Sequence, residues 1–225
     1  MGGFETIQAS GKTARLYVAG EAAPGMPGVV VLHPWWGLND DVIAYADRLA
    51  AAGYAIVAPD MFGGQVATEI EDADRLSSAM SQEVGEAITI AAVDALATRV
   101  GQGAPLAALG FSFGAAWAIW APTQRDRVGA TIVYYGTWVG SVLGGAKTPV
   151  LGHFAEDDPY ETAETVTEFE NGLRAAGREA TIHRYPGTGH WFAEPSRDAY
   201  QPEAAELAFA RTVAFLREHA AASSS

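Results

Sequence analysis

Residues Pro105 to Trp120, PLAALGFSFGAAWAIW, constrain this chain more than any other stretch. An apolar run, Leu106-Ala107-Ala108-Leu109, leads into Gly110-Phe111-Ser112-Phe113-Gly114 and then into an apolar segment rich in small residues. The pattern predicts a buried strand, a sharp turn and a helix, with Ser112 at the apex. A residue at such an apex holds a strained backbone conformation, and side chains two positions to either side would clash, so glycine stands at 110 and 114. The turn lifts the hydroxyl above the sheet, and the following helix aims its N-terminus at charge that develops there. This G-x-S-x-G arrangement is a nucleophile elbow.

The elbow requires a sheet around it, and the rest of the chain supplies one. Phe4 to Ser10 and Thr13 to Ala19, flanking Gly11-Lys12, predict a β-hairpin at one sheet edge. Val29 to Leu32 is an unbroken apolar run that predicts a buried strand ending at His33-Pro34-Trp35-Trp36-Gly37. A helix follows, capped by Asn39 or Asp40, with Val42, Ile43, Ala46, Leu49 and Ala50 on its apolar face and Gly53 as its stop. Ala55 to Ala58 predicts the next strand, and Met61 to Ala67 a loop over the site. Helices are expected over Thr68 to Met80, Glu83 to Val100, Thr162 to Ala176 and Glu203 to His219. Strands are expected over Ala130 to Tyr135, Pro149 to Phe154 and Ala180 to Tyr185, while Gly136 to Thr148 lacks a strong helical pattern. Such alternation predicts an α/β fold, a mostly parallel central sheet with helices on both faces. No repeat or linker divides residues 1–225, so one domain is expected, with a frayed tail over 221–225.

Bulk properties narrow the partners. A net charge of −13, from 27 acidic against 14 basic residues, argues against nucleic acid and anionic membranes, both of which need a basic patch. With no cysteine there is no disulfide, thiolate or cysteine-based metal chemistry. The opening MGGFETIQAS lacks the basic and apolar regions of a signal peptide, so a cytoplasmic protein, acting as a monomer, is expected.

A serine hydroxyl needs a base to take its proton, and that base needs an orienting acid. His183 falls in a strand pattern and His219 on the last helix, whereas His190 lies in the loop Gly187-Thr188-Gly189-His190-Trp191-Phe192 after the last strand, where a base must sit. The acid is expected in Glu156-Asp157-Asp158-Pro159, where the proline fixes the turn and favours Asp158, with Asp157 the alternative. The oxyanion would be held by the backbone N–H groups of Phe113 and Trp35, since Pro34 has none to offer. His33 is expected to brace that loop. Trp36, Tyr135, Trp138 and Trp191 fall on strand ends or loops and are expected to contact substrate, while Trp117 and Trp120 on the elbow helix are expected to pack in the core. No metal or organic cofactor is implied.

Five ordered motifs, VVVLHPWWGLND, AIVAPDMFGG, ALGFSFGA, HFAEDDPY and TGHWF, resemble the dienelactone hydrolase family over nearly the whole chain. The resemblance implies an α/β-hydrolase fold without a large cap domain. It maps the nucleophile to Ser112, the acid to Asp158, the histidine to His190 and the oxyanion donors to Trp35 and Phe113. Three positions depart from the family's best-known members. Ser112 stands in place of cysteine, Pro34 in place of a thiol-managing glutamate, and Glu194 in place of a carboxylate-binding arginine. Glu194 is expected to repel a substrate carboxylate, so the implied substrate is a small neutral or aromatic ester or lactone. A thioesterase, lactonase, amidase or small peptidase would share these residues, and a non-catalytic binding protein on the same fold is the rival from another class.

Overall fold

The computed structural model describes residues 2–138, 143, 145 and 147–221. Within Gly136 to Thr148, residues 139–142, 144 and 146 lie outside the described residues, as do 222–225 of the tail. The strands are β1 (Gly3–Ala9), β2 (Lys12–Ala19), β3 (Gly28–Leu32), β4 (Ala55–Asp60), β5 (Leu106–Phe111), β6 (Val128–Tyr134), β7 (Val150–Asp157) and β8 (Ala180–Gly189). They form one sheet in the order β1-β2-β4-β3-β5-β6-β7-β8. β1 and β2 run antiparallel at one edge, and every pairing from β4 to β8 is parallel. Among the described residues the helices are α1 (Asp40–Ala51), α2 (Ile70–Ala79), α3 (Gln82–Val100), α4 (Phe113–Gln124), α5 (Ala163–Ala175) and α6 (Pro202–Ala221).

The hairpin turn differs from the sequence expectation by one residue. Ser10 and Gly11, not Gly11-Lys12, form the turn, with φ of 48° and 76°, and Lys12 pairs with Ala9. A two-residue turn matching the strand twist needs positive φ at both central positions, which a serine-glycine pair meets more easily than glycine-lysine. α1 is capped by Asn39, whose side chain accepts the Val42 N–H at 3.1 Å, and the chain leaves the helix through Gly53 at φ 101°. Tyr45, outside the expected apolar face, is also buried there.

β3 and β5 are buried along their whole length, as expected of strands covered on both faces. One layer packs α1 and α6 side chains such as Val42, Leu49, Ala208 and Leu216 against Val29, Val31 and Leu109. The other packs α2 and α3 side chains such as Leu76, Val93 and Leu96 against Val30, Leu32 and Ala108. Because alternate residues of one strand feed opposite layers, no position in β3 is free to be polar.

The chain order reverses at β3, from which one half runs out through β4 and the other through β5. Loops at the carboxyl ends of β3 and β5 therefore meet at a switch point, where sheets of this kind bind ligands. Leu32 pairs with Gly110, Phe111 with Tyr134, Tyr134 with His153 and Asp157 with Gly189. Those registers deliver the loop after Leu32, Ser112, Tyr135, Asp158 and His190 to one edge of the sheet.

Candidate active site

Ser112 sits between β5 and α4 with φ 46° and ψ −113°, a left-handed conformation that a serine adopts only when its surroundings impose it. Its N–H donates to the Tyr134 carbonyl at 2.8 Å, which fixes the turn to β6. The flanking glycines are required by close approach. A Cβ on Gly110 would overlap the Gly114 carbonyl across the turn, and one on Gly114 would overlap the Leu32 carbonyl at the end of β3.

The structure brings the serine, histidine and aspartate into one hydrogen-bonded chain. Ser112 Oγ lies 3.0 Å from His190 Nε2, and His190 Nδ1 lies 2.7 Å from Asp158 Oδ2. A carboxylate oxygen only accepts, so Nδ1 carries the proton and Nε2 is left to accept from the serine hydroxyl. Asp158 Oδ1 accepts the N–H groups of Tyr160 at 2.9 Å and Glu161 at 3.0 Å, so both its oxygens are engaged. Asp157 ends β7, opposite Gly189, with an exposed side chain. Of the neighbouring carboxylates, then, Asp158 is the one at the histidine. β8 runs four residues past the expected Tyr185, because Asp157 pairs with Gly189. His190 thus follows directly on a paired strand instead of riding on a loose loop.

A second brace holds the acid. The Glu161 carboxylate accepts the Thr137 N–H at 2.9 Å and the Thr137 hydroxyl at 2.8 Å, tying the loop after β7 to the loop after β6. Burial pushes the Glu161 carboxyl above its ordinary range, and the Thr137 bonds pull it partly back.

On the opposite side, His33 braces the β3 loop. Nδ1–H donates to the Pro34 carbonyl at 2.7 Å while Nε2 accepts the Met61 N–H at 3.1 Å. Both bonds suit a single neutral tautomer, and burial pushes this imidazole down in pKa. The N–H groups of Trp35, in this loop, and Phe113, first in α4, have no intramolecular acceptor among the described residues. Phe113 directly follows Ser112 in the chain.

The expected substrate contacts divide. Trp191 is half-buried beside His190, with ring centroids 5.0 Å apart, and stacks on Trp35 at 6.2 Å. Trp36 and Tyr135 are buried, at 2% and 0% exposed. Trp36 is wedged between Trp191, at 5.2 Å, and the Arg197 guanidinium, at 3.7 Å. Tyr135 packs beside His190 at 5.0 Å, and its hydroxyl donates a hydrogen bond to Glu194 at 2.8 Å. Trp138 is half-buried and packs against the cluster around Ile119 and Phe169. Tyr160, another aromatic whose loop position in the sequence places it near the site, is 48% exposed and stands 4.9 Å from His190, 5.4 Å from Trp191 and 5.8 Å from Trp35.

Glu194 does not act as expected either. It is 2% exposed, and burial pushes its carboxyl up to about 8, so it is neutral near pH 7 and presents no charge to a substrate carboxylate. Among the described residues no group of three or more His, Cys, Asp or Glu side chains is arranged to hold a metal ion, and no helix is long and apolar enough to cross a membrane.

An elbow serine at the switch point of a mostly parallel sheet, with a histidine and an acid delivered by the last two strands, defines an α/β-hydrolase. The solved structure of a candidate dienelactone hydrolase from Klebsiella pneumoniae superposes with a TM-score of 0.84 at 23% identity, over 97% of this chain and 98% of that one. The dienelactone hydrolase family model matches residues 14–220, and the chain belongs to that family. Among curated relatives, Protein usf of Aquifex pyrophilus is 29% identical over 97% of this chain and 99% of its own length. A candidate carboxymethylenebutenolidase of Azospirillum brasilense is 30% identical over 90% and 92%. The protein is a hydrolase of this family.

Proposed function

We propose that the protein is a serine esterase that cleaves small neutral or aromatic carboxylic esters, including lactones, through an acyl-enzyme on Ser112. The observation that carries this is the unbroken chain from Ser112 Oγ through His190 to Asp158, at 3.0 and 2.7 Å. His190 Nε2 takes the hydroxyl proton as Oγ attacks the carbonyl carbon, and the oxyanion forms against the N–H groups of Trp35 and Phe113. The imidazolium then gives its proton to the departing alkoxide, leaving the acyl group on Ser112. A water, deprotonated by the same nitrogen, attacks the acyl carbon and regenerates the serine. Asp158 holds Nδ1–H and stabilises the imidazolium at each stage.

The rim supports the substrate class. Tyr160 and Trp191 pack beside His190 and Trp35 packs against both, an aromatic cluster suited to a planar aryl group, and no arginine stands where family members hold a carboxylate. The name of the Azospirillum relative, carboxymethylenebutenolidase, supports including lactones, which are internal esters.

Intact-mass labelling with a fluorophosphonate tests the assignment. A single adduct on Ser112 in wild type, lost in His190→Ala, is expected. No adduct on folded wild-type protein would reject the activated serine and favour a binding protein on this fold.

A further inference from the structure

Among the buried acids that the mechanism above leaves unused is Glu194. Glu194 ends the turn that follows His190, where its N–H donates to the Trp191 carbonyl at 2.9 Å and its carbonyl accepts the Arg197 N–H at 3.0 Å. Its Oε1 accepts the Tyr135 hydroxyl at 2.8 Å, but Oε2 is buried with no hydrogen-bond partner. Tyr135 is held at φ 38°, a left-handed backbone that a tyrosine adopts only when over-determined. Its ring lies 5.0 Å from His190 and 5.5 Å from Phe192. The Tyr135 ring therefore packs beside the imidazole while its hydroxyl is held by Glu194.

We propose that Glu194, acting as a neutral carboxylic acid, is a positioning residue for His190: with Tyr135 it forms an uncharged wedge that keeps Nε2 on the Ser112 hydroxyl, and its ionisation releases that wedge. The proposal rests on the reading of His190 as the base. An anion at this place needs water on Oε2, and admitting water requires the 191–197 turn to open and the imidazole to tilt. The groups facing the carboxyl set the balance. Tyr135 donates from the end of β6, with Tyr134 and Tyr45 behind it in the core. Asp41 at the start of α1 repels a second negative charge, and its carboxylate is already engaged by the Ser196 N–H at 3.2 Å. Arg197 attracts one, yet its guanidinium is laid over Trp36 and donates to the Thr68 carbonyl at 3.3 Å. Desolvation outweighs these, and the carboxyl is pushed up to about 8.

The test is the pH dependence of kcat and KM with 4-nitrophenyl butyrate, from pH 6 to 10, for wild type, E194Q and Y135F. Wild-type kcat is expected to fall about tenfold per pH unit above the Glu194 transition. E194Q keeps the wedge neutral at every pH, so it is expected to stay within about threefold of wild type at pH 7 and to lack that limb. Y135F removes the hydroxyl but keeps the ring, and is expected to lower kcat about tenfold with KM nearly unchanged. An alkaline limb persisting in E194Q, a fall at pH 7 in E194Q as large as in Y135F, or wild-type kcat in Y135F would each overturn the wedge. Fluorophosphonate labelling of the same proteins separates the two levels. Ser112 unlabelled in wild type sinks the base assignment and the wedge with it, whereas normal labelling beside an unchanged limb sinks the wedge alone.

Discussion

Gly114 lies so close to the end of β3 that a Cβ there would overlap the Leu32 carbonyl oxygen and stand 2.7 Å from that of His33. The first turn of the elbow helix is thus pressed onto the strand whose loop carries Trp35. That contact fixes the spacing between the two backbone donors, on Phe113 and Trp35, that would share an oxyanion.

Gly114→Ala is expected to lose about 1–3 kcal/mol of stability, because backbone atoms cannot step aside as a side chain would. It should lose activity beyond that, since separating β3 from α4 separates the two donors. Urea denaturation and kcat at a temperature where the variant is fully folded distinguish the two effects. A variant as stable and active as wild type would contradict the contact.

Asp158→Asn and Asp157→Asn form a matched pair. The first can present its amide NH₂ to His190 Nδ1 and turn the imidazole to the wrong tautomer, which lowers kcat by about 10⁴ in an enzyme of this mechanism. The second removes an exposed charge at the end of β7 and should stay within about threefold of wild type. Equal losses in the two variants would displace Asp158 as the orienting acid.

Ser112→Ala should lower kcat by about 10³ or more while leaving the fold intact, as loss of a triad nucleophile does. Activity within tenfold of wild type would reject the serine.

Tyr160→Ala is expected to raise KM for phenyl esters severalfold and to leave ethyl esters of the same acid nearly unchanged. The ring is 48% exposed and stands over His190 without a core role. An equal change for both alcohols would place Tyr160 outside the substrate's reach.

His153 ties stability to pH. Its Nδ1 meets the Tyr185 hydroxyl at 2.7 Å and its Nε2 the Thr212 hydroxyl at 3.0 Å, and burial drives its pKa well below the ordinary 6.5. A depressed folded pKa contributes stability that is present above the unfolded value and lost as pH falls. The contribution is therefore expected to be whole at pH 7.5 and to shrink below about 6.5. Glu194 carries the opposite sign. Its pKa is raised from 4.5 to about 8, so its contribution is whole below 4.5 and lost as pH rises through 8. Chemical denaturation at pH 7.5 and 5.5 should show that the cost of His153→Gln diminishes at the lower pH. A cost that grows on acidification would mean His153 is charged in the native state.

Much of this molecule is written in short stretches of chain. The elbow is local: glycine at 110 and 114 and serine at 112 are needed by one turn, so they are legible without knowing what surrounds them. The apolar runs of β3 and β5, the Asn39 cap and the proline after Asp158 are likewise decided within a few residues of themselves. Chain order then placed the acid and the histidine after the last strands, because a parallel sheet returns every strand's carboxyl end to one edge. What the sequence could not disclose depends on residues far apart in the chain. The bond that the Tyr135 hydroxyl donates to Glu194 joins residues 59 positions apart, and no local pattern announces it. Tyr45 joins a buried chain through Tyr134 and Thr212 to His153 that no local pattern announces. From the sequence alone Glu194 is expected to carry a charge that repels a substrate carboxylate, because glutamate is usually ionised. Only the packing of β6, α1 and the 191–197 turn around it removes the water that would keep it ionised, and desolvation is a property of the assembled fold and not of the residue.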